Sequence, residues 1–197
     1  MKENRRLVTL ILALALLVSA GRAAAEPLVF SAGGRKWQVD LPRGYLAYTG
    51  EMGEDSPLLA VTGASVKDMN RYMTGLGCSV CAVYLPSGHQ LWLSVTDRSA
   101  GLGSVGPDGS LPENIVKSYF DGTALSRGPY TVESFGGRDY YLFAKGISIY
   151  EGGVNYRISV FYGQYEIMLH WESGTGTRTG EDIETLKAVI RSVQPVN

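Results

Sequence analysis

The chain has 197 residues, 18 of them Lys or Arg and 19 Asp or Glu, and 45% of it is hydrophobic. A chain without a basic excess or a basic cluster lacks the electrostatic footprint of a nucleic-acid binder. Two histidines and two cysteines, with no metal-ligand spacing between them, offer no metal site, and no cofactor is expected.

Residues 1–25 read as a secretory signal peptide. Lys2, Arg5 and Arg6 form a charged start, Leu7 to Ala20 is a charge-free and mostly apolar run, and Ala23-Ala24-Ala25 supplies a small-x-small cleavage pattern. The run is shorter than the ~20 apolar residues a spanning helix needs. No cysteine lies nearby to carry a lipid anchor. Cleavage before Glu26 is expected, giving a bacterial-type secreted or extracytoplasmic product with no membrane span. Lys plus Arg then falls from 18 to 14 and Asp plus Glu from 19 to 18, so the net charge becomes −4. Residues 26–197 suffice for one domain with a sizeable core, and no boundary, repeat or disordered tail interrupts them.

In chain order, Leu28-Val29-Phe30 and Trp37-Gln38-Val39 flank Gly33-Gly34, a dipeptide suited to a type I′ turn. A two-residue loop there sets Phe30 opposite Trp37 and Leu28 opposite Val39. Leu41-Pro42-Arg43-Gly44 ends that strand, because proline has no amide hydrogen to give. Ser56-Pro57 with Gly63 predicts a short helical turn over 57–62. Ser65…Asp68, Ser110…Glu113 and Thr179…Asp182 each match a capping box opening a helix. The stripes Val66/Met69/Met73/Leu76, Ile115/Val116/Tyr119/Phe120 and Ile183/Leu186/Ile190/Val193 suit helices lying on a sheet. Between the first two helices, Val80–Leu85 and Gln90–Thr96 form a hairpin. Asp97 to Gly109 reads as a loose Gly/Ser-rich segment.

A four-strand meander follows, turning at Gly136-Gly137, Gly152-Gly153 and Gly163-Gln164. Gly in first place at the last turn suits type II′. It pairs Tyr162 with Tyr165, Val160 with Ile167, Ile158 with Leu169 and Tyr156 with Trp171, all on one apolar face. The other face holds Phe161/Glu166, Ser159/Met168 and Arg157/His170. A one-residue slip would mix the two sets, so a buried face fixes the register. The Gly152-Gly153 turn sets Ile149 against Tyr156 and Ile147 against Ile158, and Gly146 reads as a bulge or bend.

Consecutive antiparallel strands with separate helices give an α+β fold, an antiparallel sheet with helices packed on it as an α/β/α sandwich. The Trp37-Gln38-Val39-Asp40-Leu41-Pro42 strand with its Leu-Pro exit and the Pro57-Leu58-Leu59…Gly63 stretch resemble the PsbP-like superfamily of photosystem extrinsic and Ran-binding Mog proteins. So do Asn155-Tyr156-Arg157-Ile158 and the closing Ile190-Arg191-Ser192-Val193. The resemblance implies a sheet sandwiched by helices and carries over no catalytic residue.

Cys78-Ser79-Val80-Cys81 is the sharpest local pattern. Export favours oxidation, and the two cysteines could be a structural disulfide, free thiols or a redox pair. A thioredoxin-type site needs its first Cys at a helix N-terminus, whereas a strand follows here. Gly101-Leu102-Gly103-Ser104-Val105-Gly106 matches a dinucleotide fingerprint in letters, but Pro107-Asp108-Gly109 follows instead of a helix. His89 in a turn and His170 on the sheet mark no triad. No catalytic residue is nominated and enzymatic activity is not expected. Phe161, Tyr162 and Tyr165 near the hairpin tip form a possible contact surface for a protein or glycan partner. The expectation is an exported, non-enzymatic binding module at the cell envelope or outside the cell. The alternative is a thiol-disulfide protein using Cys78 and Cys81.

Overall fold

The computed structural model of the protein describes residues 27–102, 111–143, 154–173 and 179–196. The signal-peptide reading, the Gly152-Gly153 turn with Ile147 and Ile149, and Gly146 lie outside the described residues. So do Ser110 of the middle capping box and residues 103–106 of the glycine motif.

Strands β1 (Leu28–Ala32), β2 (Arg35–Val39) and β3 (Tyr45–Thr49) precede helices α1 (Pro57–Thr62) and α2 (Val66–Leu76). Next come β4 (Val80–Tyr84), β5 (His89–Asp97), the single turn α3 (Ser99–Leu102) and α4 (Glu113–Arg127). The meander β6 (Tyr130–Phe135), β7 (Arg138–Phe143), β8 (Val154–Tyr162) and β9 (Tyr165–Ser173) follows, then α5 (Gly180–Ser192) and the short β10 (Gln194–Pro195). The main sheet has seven strands in the order β3-β4-β5-β9-β8-β7-β6, and the recorded pairings are antiparallel.

The turn chemistry sets the register as expected. Gly163 has φ 57° and Gln164 is not left-handed, as a type II′ turn requires. Tyr162, Val160, Ile158 and Tyr156 face Tyr165, Ile167, Leu169 and Trp171. Gly33 and Gly34 both take positive φ, and Phe30 pairs with Trp37 and Leu28 with Val39. The first hairpin does not join the main sheet, however. With β10 it makes a separate three-stranded sheet in the order β1-β2-β10. The chain leaves β2 through Leu41-Pro42, and β3 joins β4 instead. The single sheet layer expected from the sequence is therefore two stacked sheets.

The inner face of the main sheet packs on that small sheet and on α5. Trp37, Leu91, Ile158, Leu169, Trp171, Leu186 and Ile190 are at most 1% exposed there. The outer face is covered at its two ends. Under α1 and α2 lie Tyr48, Cys81 and Trp92, and under α4 lie Tyr141, Phe143 and Phe161, with the Phe120 ring stacked on Tyr141 at 3.8 Å.

The helix starts follow the sequence closely. Ser65 Oγ accepts from the Asp68 amide, and Thr179 with Asp182 completes a reciprocal capping box. Helix α4 starts later than read, with Pro112 as its N-cap. Ser56 precedes Pro57 but its hydroxyl caps nothing, and Gly63 ends α1 in the left-handed region as foreseen.

Candidate functional site

Strand alternation sends Glu166, Met168, His170 and Glu172 of β9 to the outer face, in the band between the two groups of helices. The ladder extends each into a row: Thr96, Glu166 and Phe161; Ser94, Met168 and Ser159; Trp92, His170 and Arg157; Gln90, Glu172 and Asn155. Glu166, Glu172 and Ser159 are at most 2% exposed. A band this polar and this buried is where chemistry would be sought.

Glu166 is the hub. Arg98 donates to Oε2 from Nε at 3.0 Å and Nη2 at 2.7 Å, and Arg127 Nη1 donates to Oε1 at 2.5 Å. The Tyr119 hydroxyl donates to Oε2 at 2.5 Å and Ser159 Oγ to Oε1 at 3.3 Å. Burial alone pushes the carboxyl up. The hydrogen bond and charge of Arg127, with Tyr119 and Arg98, more than offset that and leave it below the usual carboxylate range. Tyr119 moves the other way, to about 12, through burial and its bond to Glu166. Arg98 and Arg127 also lie over the Tyr119 ring, at 5.6 and 5.9 Å from its centroid. Four elements (the end of β5, α4, β8 and β9) thereby meet at one carboxylate.

One row along, the His170 ring lies 4.8 Å from that of Trp92. Burial, then the charge of Arg157, lowers His170 to about 4, so it is neutral at physiological pH. Burial and Arg127 lower Arg157 too, against the pull of Glu172. Nε2 of His170 and Nε of Arg157 are buried without a hydrogen-bond partner. Glu166 and His170 are four residues apart on one strand, about 13 Å at ~3.3 Å per residue. They cannot form a carboxylate–imidazole couple. Among the described residues no group of three His, Cys, Asp or Glu could hold a metal ion, and no helix is long and apolar enough to cross a membrane.

The chain is similar to the solution structure of cyanobacterial PsbP (CyanoP) from Synechocystis sp. PCC 6803, with 12% identity and a TM-score of 0.44 over 90% of this chain and 96% of that one. No family model and no curated protein matches the chain.

Of the three readings left open for the cysteines, the structure has the free thiols. Cys78 follows the left-handed Gly77 that ends α2, and Cys81 lies in β4 facing Trp92 and the helices. They stand apart as free thiols. Burial pushes Cys78 up to about 12 and Cys81 to about 11, the reverse of a thiolate nucleophile. Cys81 lines a cleft of about 350 Å³ with Leu58, Met69, Tyr72, Val83 and Gln90, under the outer side of α2.

The aromatic trio is divided between the two faces of the sheet. Phe161 packs beneath α4, 5.5 Å from Tyr119 and 5.7 Å from Phe120. Tyr162 and Tyr165 are half-buried on the inner side, edge-on to Trp37 at 5.9 and 5.2 Å. What sequence reading missed is the set of partners. The sequence placed Glu166 opposite Phe161 on the outer face, but nothing local marks Arg98, Tyr119 and Arg127 as its ligands.

Proposed function

We propose that this chain is an exported, non-enzymatic binding module that meets a protein or glycan partner through the rim at Tyr162 and Tyr165. The observation carrying the reading is the state of the side chains best able to do chemistry. Glu166 has both oxygens engaged by four donors, and both thiols and His170 are held by burial in their neutral forms. A site whose groups are all locked in one state suits a rigid scaffold better than proton or acyl transfer. Export is supported by the charged start, apolar run and Ala-rich end of residues 1–25.

A photo-crosslinking residue at Gln164, between the two tyrosines, tests the contact. In the cells that make the protein it should give a discrete adduct, while the same probe at exposed Val61 should not. The exported product should begin at Glu26 by mass spectrometry. Saturable hydrolysis of an ester, glycoside or peptide, lost in His170→Asn or Glu166→Gln, would overturn the non-enzymatic reading. Absence of an adduct at 164 would overturn the rim.

A further inference from the structure

Resting on that reading, we propose that the rim recognises carboxylates carried on an acidic segment of a protein partner, with Arg35, Arg138 and Arg191 as the binding groups around Tyr162 and Tyr165. The hairpin tip closes the end of the inner core, where the two sheets meet. Arg138 lies over the Tyr162 ring, 4.4 Å from its centroid. Arg35 lies over both Trp37 and Tyr165, at 5.5 and 5.8 Å. The Arg191 stem reaches the β6–β7 turn, where a Cβ added to Gly136 would meet its Cδ at 3.0 Å. All three arginines are exposed. Among the described residues none of them has a carboxylate within 4.0 Å, unlike Arg71, Arg98 and Arg127. Asp97, paired with Tyr165 in the ladder, is already engaged by the Ser99 amide and by Gln164 Nε2.

A guanidinium lying over an aromatic ring keeps its in-plane N–H fork free and held in orientation, ready for bidentate contact with a planar carboxylate. The tight fit maintains this platform. Gly33 has φ 57°, and a Cβ there would stand 2.9 Å from the Tyr165 ring, so the β1–β2 turn buttresses that ring. Polyanionic surfaces fit less well. Arg35 and Arg138 lie over different rings, Trp37 with Tyr165 for the one and Tyr162 for the other, an arrangement that suits single carboxylates spaced along a chain.

The test is anisotropy of a fluorescein-labelled peptide alternating Glu with Gly, titrated with the purified chain. Arg35→Gln with Arg138→Gln should weaken binding about tenfold or more, the scale of a lost charge-assisted pair. Arg→Lys at both positions should also weaken it, because charge is kept but the fork is lost. Lys67→Gln, an exposed charge on α2, should leave it unchanged. A thermal unfolding midpoint close to the parent's shows that the double variant is folded. Equal weakening by Lys67→Gln, full binding by the Lys variants, or preference for phosphatidylglycerol vesicles over the peptide each overturns the inference. A crosslinked partner at Gln164 that survives Arg35→Gln/Arg138→Gln would reject the acidic ligand and leave the binding module standing.

Discussion

Glu166 shows how one residue can set the cost of a whole region. Its side chain is 2% exposed, beside Arg127 at 14% and Arg98 at 33%. Ion pairing at that depth adds little relative to a well-packed apolar alternative, but breaking one side leaves a buried charge without its partner. Glu166→Gln is therefore expected to destabilise the fold by about 3 kcal/mol, mostly through Arg127. Arg98→Gln, nearer solvent, should cost only about 1 kcal/mol. Urea unfolding of the two variants checks the order, and a Glu166→Gln protein as stable as its parent would remove the hub from the account. The place of Glu166 opposite Phe161 was visible in the sequence. Its ligands were not, since they lie 39 to 68 residues away in sequence and only packing of α4 on the sheet brings them together.

At the scale of elements, local signals carried most of the information. Paired glycines in β1–β2 and β6–β7 and Gly163 after β8 fixed three registers, because a turn of given length leaves one pairing that keeps the apolar face together. The capping box of α5 satisfies two amides that the helix cannot bond internally. Thr179→Ala should cost ~1 kcal/mol, with faster hydrogen exchange in the first turn of α5 and none in the β8–β9 hairpin. Uniform loss of protection across the chain would mean that α5 does not begin independently. Elements without a local mark were missed: β3 has no turn dipeptide, and β10 is two residues long. β10 exists only because β2 offers it an edge, with the Val196 amide donating to Lys36 O at 3.0 Å.

For the molecule as a whole, acid should be the condition that exposes how the outer face is built. His170 drops from 6.5 to about 4 on folding, through burial and then Arg157. Between those values the unfolded chain takes a proton that the folded chain refuses, so stability rises with pH there and is lost as pH falls from 6.5 toward 4. Glu166, depressed below 4.5 in the fold, adds stability above that value which disappears as pH falls through its lowered pKa. The two losses follow one another. On the order of 2 kcal/mol should go between about pH 7 and pH 4.5, after allowance for the partial exposure of His170. His170→Gln should flatten that window and leave the steeper fall below it. Urea midpoints across the pH range decide it, and an equally steep window in His170→Gln would assign the effect elsewhere.

By itself the sequence determined the turn-marked hairpins and the capped helices, which side of the core hairpin is buried and where α2 and α5 begin. These depend on alternation, glycine φ and side chains reaching amides three residues away, all within one turn of chain. Only the tertiary structure decided that the first hairpin forms its own sheet, that Glu166 gathers two arginines and a tyrosine, and that Cys78 and Cys81 stay apart. It also laid Arg35 and Arg138 over aromatic rings. Those outcomes depend on contacts between distant segments, whose pairing is fixed by total burial and charge balance and leaves no mark in any short window of residues.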